Sequence, residues 1–422
     1  AILFGVFPAI SIARGDLESS LRQGGRGVAG AWTRMRRGLV IVEVALAFIL
    51  LFGSGLLMRS LAQLTDVKPG FEMGGRIVFS VSLPAARYKG AQQQVAFYNE
   101  AREKIATLPG IESASMTSLV PLNGDSSLWT IGINGQQNKT SLPSAEYYLV
   151  DPGYLRAMGI PLLQGREFTE QDTANSQHVL IINDYFAHTL FPGQNPIGQH
   201  VQLGRNYDVV REIVGVVASV KQEGLDDQDG YQVYEPFAQM PRAGMTFIVK
   251  SGARDAMSAL PAVRSALKQI DPELPITHPE TLEQEMGQSL AMPRFRTALL
   301  GIFAALAVIL ALLGLYGVMS YAVTEQTQEI GVRVALGAAT RDIYSFVLGR
   351  GLTLVGLGIC AGVAGAFAAT KVLQSFLFGV TAHDAWTIAG VTALFAIVAT
   401  AACLVPARRA AKVDPLVALR YQ

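Results

Sequence analysis

The sequence predicts a membrane protein: four transmembrane helices plus a large extracytoplasmic mixed α/β domain of two subdomains, inserted between helices 1 and 2. Half of the 422 residues are hydrophobic and only 16% are charged, at a mean hydropathy of +0.32. Water-soluble domains carry about 25% charged residues. The deficit is concentrated in four stretches. Between the first and second of these lie 238 residues, Arg59–Arg296, of ordinary polar composition, enough for one or two folded domains. Thirty-four basic against thirty-three acidic residues leave a net charge of +1, so no basic field argues for nucleic acid. The two cysteines, Cys360 and Cys403, both sit in apolar runs and cannot staple an extracytoplasmic domain.

Each span meets the requirement of roughly 20 apolar residues. Helix 1 is Gly38–Met58, with a single acid, Glu43. Helix 2, Thr297–Val323, and helix 3, Gly351–Thr370, carry no charge, nor does helix 4, Ala385–Val405. Basic residues set the orientation. Arg34, Arg36 and Arg37 precede helix 1, Arg333, Arg341 and Arg350 lie between helices 2 and 3, and Arg408, Arg409 and Lys412 follow helix 4. The loop between helices 3 and 4 has only Lys371. Both termini, residues 324–350 and the tail 406–422 are therefore expected in the cytoplasm, and residues 59–296 outside.

Within 59–296, Arg76–Leu83 alternates like a strand, Ala91–Leu108 has helical periodicity, and Ile111–Leu119 is strand-like after the Pro109-Gly110 turn. The order recurs at Met245–Lys250, Ala256–Ile270 and Leu274–Thr277. Two βαβ-like units thus flank an inserted subdomain at about 147–240, with short strands expected at Val179–Ile182 and Val209–Val220. Arg59–Leu64 prolongs helix 1, and Thr281–Leu290 approaches helix 2 before Met292-Pro293 breaks or kinks it. Two such helices side by side would form a stalk.

The chain's start and end echo one another. Pro8–Asp16 aligns with Pro406–Asp414, and the register continues to Leu21-Arg22 against Leu419-Arg420. Residues 1–37 therefore read as the remnant of a preceding module and a cytoplasmic linker, the chain beginning inside a duplication. Ala1–Ile10 is too short to span a bilayer and lacks a signal peptide's basic start.

Three stretches resemble the FtsX-like, MacB-type permeases of ABC transporters: Arg37–Ser60, Glu325–Ala338 (EQTQEIGVRVALGA) and Pro406–Arg420 (PARRAAKVDPLVALR). The echo is similar to the duplicated, ATPase-less permeases of acidobacteria. The resemblance implies mechanotransmission in the bacterial inner membrane: a cytoplasmic ABC ATPase subunit opens and closes on ATP, and the movement passes through the spans to the outer domain. Members power efflux or lipoprotein release, signal antibiotic presence or control cell-wall hydrolases. The implied partners are that ATPase, membrane lipid, a second permease module in a dimer and a periplasmic adaptor, with no nucleic acid.

The segment expected to meet the ATPase is Thr324–Arg341. Ile330 and Val334 recur at helical spacing with Ala335 or Ala338, and Glu325, Glu329, Arg333 and Arg341 occupy other faces. Glu329 and Arg333 stand at i,i+4 in the stabilising order, Leu336 adds apolar surface, and Gly337 suits a helix C-terminus. The competing reading is an interfacial helix lying on headgroups. Glu43 is an intramembrane acid, a functional candidate by default. It is also near enough to Arg37 to pair or snorkel. Gly358, Gly362 and Ala366 repeat at four-residue intervals, and Gly314 and Gly317 sit in helix 2, small residues that let helices pack closely within the bundle or in a dimer. Trp129, Trp386, Tyr316 and Tyr321 read as interface anchors or core.

No catalytic, cofactor or metal site is expected. Gly193–His200 has the glycines of a phosphate loop but Gln199 and His200 where Lys and Ser/Thr are needed. The five histidines have no zinc spacing, and Asp226–Gly230 lacks the alternating acids of a calcium loop and reads as a solvated turn. The leading expectation is a non-enzymatic permease. The alternative is a membrane sensor or hydrolase regulator of the same architecture that moves no substrate.

Overall fold

The computed structural model describes residues 26–133, 143–204, 209–381 and 384–411. The echo segment Pro8–Arg22, the matching tail beyond Ala411 and His383 lie outside them. In chain order the elements begin with α1 (Arg26–Thr65), β1 (Arg76–Ser82), α2 (Ala91–Ala106), β2 (Ile111–Thr117), β3 (Leu128–Ile133) and β4 (Ser144–Val150). Then come α3 (Tyr154–Met158), β5 (Leu162–Gly165), β6 (Val179–Asn183), α4 (Asp184–Leu190), β7 (His200–Leu203), β8 (Val210–Val217), β9 (Gln232–Pro236) and β10 (Gly244–Ser251). The remainder are α5 (Leu260–Ile270), β11 (Thr277–Thr281), α6 (Leu282–Ser289), α7 (Ala291–Glu325), α8 (Thr327–Ala335), α9 (Thr340–Leu373) and α10 (Ala385–Ala411). They form two compact units, Leu64–Pro293 and a helical unit built from the remainder.

In the α/β unit, β10 runs antiparallel between β1 and β2, in unbroken register with β1 from Arg76↔Lys250 to Ser82↔Gly244. β11 flanks β1 on its other side. With α2 joining β1 to β2 and α5 leading from β10 to β11, this is a split β-α-β arrangement made twice. The alternation of RIVFSVS turns Phe79 onto Phe247, their rings stacked at 5.3 Å. Helix α2 buries Phe97, Tyr98, Ala101 and Ile105, the one-face spacing of an amphipathic helix. Full burial of each aromatic stabilises the unit by roughly 1.5–3 kcal/mol.

Strands β3 to β9 lie in the chain between β2 and β10. β4 pairs parallel with β9, and β6 lies parallel to β8 and antiparallel to β9. β3, ahead of residue 147, pairs with both β4 and β7. One pair, Thr117↔Val150, links β2 to β4. Buried Arg76 strengthens the attachment: Nε donates to the Ala157 carbonyl at 2.6 Å, Nη1 to Gly74 O at 2.9 Å and Nη2 to the Glu72 carboxylate at 2.7 Å. A buried guanidinium is tolerated because each of its three nitrogens finds an acceptor. At the centre of this part, Arg211 pairs with Glu235 at 2.9 Å, both side chains buried, and the Tyr147 hydroxyl donates to Glu235. The acids of Asp226–Gly230 make local bonds: Asp227 accepts from the backbone of Glu223 and Gly224, and Asp229 pairs with Lys221 at 2.9 Å.

The helical unit is organised around α1, the most buried of four helices long and apolar enough to cross a membrane. Contacts of α1 with α7 pair Arg36 with Tyr321, Glu43 with Gly314, and Ser54 with Gly301, so the two run antiparallel. Val44 against Gly358 and Phe48 against Gly362 make α9 parallel to α1. Phe48–Phe395 and Gly55–Thr387 contacts make α10 antiparallel. Successive long helices thus alternate in direction, as four consecutive crossings require. α6 ends at Ser289 and α7 starts at Ala291, so the break falls just before Met292-Pro293. Pro293 occupies α7's first turn, where a missing N–H costs no helical bond. α10 continues through Pro406 to Ala411, past the expected end of helix 4 at Val405, giving up one backbone bond to do so.

Candidate functional site

The strongest candidate is the α7–α8–α9 corner. α8 is short because Gln326 leaves helical geometry after α7 and Gly337 ends the next turn at φ +93°. The Gly337 N–H donates to Val334 O and the Ala338 N–H to Arg333 O, both at 3.0 Å, the two bonds of a Schellman cap. Ile330 is buried in one apolar cluster with Ile343 and Val347 of α9, and Val334 packs against it. The stripe that the periodicity marks is therefore spent inside the helical unit. The opposite face carries Val332 and Leu336, the latter 83% exposed, with Glu325 and Ala335 also exposed. Glu329 and Arg333 pair at 2.5 Å on that surface.

Side chains that periodicity could not reveal fasten α8 to α9. The guanidinium groups of Arg333 and Arg350 both lie over the Phe346 ring, at 4.6 and 4.2 Å from its centroid, and Arg350 donates to the Gln326 side chain. Each cation–π contact stabilises by about 0.5–2 kcal/mol. In the sequence Arg350 looked like an orientation signal only, and Arg333 like a partner for Glu329 on the contact surface.

Glu43 is placed against α7, not out toward the headgroups. Its Oε2 is buried without a hydrogen-bond partner. It occupies room that only glycine leaves, since a Cβ at Gly314 would lie 2.3 Å away. A Cβ at Gly358 would meet Val44 at 2.6 Å, and one at Gly362 would meet Phe48 at 2.8 Å. Ala366 is buried beyond them. Gly365, not singled out by the four-residue spacing, is equally constrained, by Ile49 at 2.6 Å. Gly317 differs: nothing lies within 4 Å of its Cβ position. Tyr321 takes Arg36 over its ring at 4.7 Å, Trp129 stacks on Tyr147 at 4.2 Å, and Trp386 is exposed. Among the described residues, no three His, Cys, Asp or Glu side chains converge to hold a metal.

Two family models cover this architecture. A MacB-like periplasmic core domain matches residues 38–269, and the FtsX-like permease C-terminal region matches residues 301–415. The chain belongs to the MacB/FtsX-type permease family. It is 29% identical over 288 residues to an ABC transporter permease, YknZ, of Bacillus subtilis, covering 65% of this chain and 69% of that one. It is 25% identical over 395 residues to the macrolide export ATP-binding/permease protein MacB of Azoarcus, covering 90% of this chain and 56% of that one. With the pyoverdine export ATP-binding/permease protein PvdT of Pseudomonas putida it shares 29% identity, over 73% and 47% of the two chains. This permease thus spans about half the length of those two ATP-binding relatives. The crystal structure of the periplasmic region of MacB from Actinobacillus actinomycetemcomitans aligns at TM-score 0.36 and 17% identity, over 53% of this chain and 95% of that one.

Proposed function

We propose that this permease is the transmembrane subunit of an ABC exporter, carrying ATP-driven motion of a separate cytoplasmic ATPase to the α/β domain by mechanotransmission. The observation that carries the reading is the α8 corner. A short helix presents Leu336 outward while its inner face is locked onto α9, so a load applied there moves the long helix with it. The arginine distribution supports a cytoplasmic position for this corner and both termini, where an ATPase could reach it. The names of the macrolide and pyoverdine exporters support export as the output. Glu325, Glu329, Arg333, Leu336 and Ala338 form the contact surface, and Ile330, Val334 and Gly337 hold its shape. A second permease module, an extracytoplasmic adaptor and bilayer lipid complete the assembly.

The test is affinity purification from mild-detergent membranes, with ATP hydrolysis measured in the eluate. An ATPase subunit enriched with wild type and lost with Leu336→Asp supports the reading, because buried apolar anchors dominate such interfaces. Unchanged association and turnover in the variant sink it. The second reading, a sensor that moves no substrate, is distinguished by a copurified hydrolase or kinase in place of export components.

A further inference from the structure

The loop between α9 and α10 has only to turn the chain around, yet it is tied to both helices that lead into the α/β domain. On the α1 side, Arg59 pairs with Asp384, and the Ser60 hydroxyl accepts from the Phe378 N–H at 2.8 Å. The Gln63 amide, oriented to satisfy its neighbours, donates to Gly379 O at 2.9 Å and Phe378 O at 3.2 Å. Gly379 takes φ +65°, and a Cβ there would lie 2.4 Å from the Gln63 side chain. Asp384 also accepts from the Thr387 N–H at 3.0 Å and from its hydroxyl, so the residue that holds Arg59 caps α10 as well. On the α7 side, Arg296 lies over the Phe376 ring at 5.1 Å.

From these ties we infer that residues 374–381, together with Asp384, form a clasp delivering the displacement of the α9–α10 hairpin to the outer ends of α1 and α7. The inference rests on the proposed coupling at α8. The path is continuous: α8 is fastened to α9 through Phe346, α9 is one 34-residue helix, roughly 50 Å long at 1.5 Å per residue, and its far end meets the clasp. Packed elements pass on motion when each joint has no slack. Here the joint has an ion pair, three neutral hydrogen bonds and a cation–π contact. Arg59, Ser60, Gln63 and Arg296 are positioning residues in this scheme.

Hydrogen–deuterium exchange of the full chain with its copurified ATPase, nucleotide-free against vanadate-trapped, tests it. Wild type should show an ATP-dependent change both in residues 327–350 and in residues 64–293. Arg59→Ala with Gln63→Ala should keep ATPase association and the change in 327–350 but lose the change in 64–293, a separation that simple loss of stability does not produce. If the double variant does not fold, Phe376→Ala, which breaks only the α7 tie, replaces it with the same expected loss. In a background with Cys360 and Cys403 replaced by Ser, a disulfide between Ser60→Cys and Phe378→Cys should leave both changes intact, because the clasp stays shut through the cycle. A full outer response in the untied variant overturns the clasp alone. So does an outer response that vanishes on oxidation of the tether and returns on reduction. A wild-type complex with no ATP-dependent change anywhere overturns the clasp and the coupling reading together.

Discussion

Gly314 faces the Glu43 carboxylate across the α1–α7 seam so closely that a single added methyl would lie 2.3 Å from Oε2. The acid and the glycine are therefore one feature. Gly314→Ala should lower the melting temperature of the detergent-solubilised permease, overpacking of this kind costing about 1–3 kcal/mol. Glu43→Ala in the same chain should restore most of the loss, giving a strongly non-additive cycle. Additive effects would mean that the two residues do not share the space.

The glycines of α9 and α7 should separate in the same assay. Gly358→Leu and Gly362→Leu each drive a side chain into Val44 or Phe48 and should yield aggregated or destabilised protein. Gly317→Leu should be near neutral, since its Cβ position is open. Size-exclusion profiles after mild heating measure the difference. Equal sensitivity at all three positions would mean that Gly317 packs against something outside this chain.

Arg76→Met should destabilise the α/β unit by about 2–3 kcal/mol, since it leaves the Ala157 and Gly74 carbonyls without their buried donor. The loss should show as faster exchange in α3 before the rest of the unit. Uniform loosening would place the role of Arg76 in β1 alone.

Glu285 gives a pH-dependent expectation. Partial burial first, and then the neighbouring Glu280 and Asp125 carboxylates, push its carboxyl above the ordinary range. An acid harder to ionise when folded lowers stability above its raised titration point, and the penalty fades as pH falls toward 4.5, its ordinary value. Glu285→Gln should therefore raise the melting temperature at pH 7 and lose that advantage by pH 4. A constant gain across this range would show that charge is not the cause.

The four spans were legible because a bilayer fixes the length of an apolar run, whereas their ends were not. α1 continues to Thr65 and α10 through Pro406, because helix bonds do not stop where hydropathy does. The two flanking βαβ units were readable from the alternation of RIVFSVS and MTFIVK. Strands of the inserted part were harder. β9 (QVYEP) is wholly buried despite a Gln, a Glu and a Pro, since Gln232 bonds Val220 and Glu235 pairs with Arg211. Those partners are distant in sequence. At the α8 corner the sequence located the helix and its cap but not the face it presents. The period of Ile330 and Val334 marks an apolar side without saying whether it docks inward or onto a partner.

The position of β10 also sets the order in which the α/β unit can assemble. β1 and β2 emerge early in synthesis, but the strand that sits between them follows only after all of β3 to β9. Until then both present bare edges, the situation that invites wrong pairing and aggregation. Such a topology has high contact order and folds slowly. Newly made chains are exposed to wrong pairing throughout that interval, and mutations in β10 will reduce yield before they reduce activity.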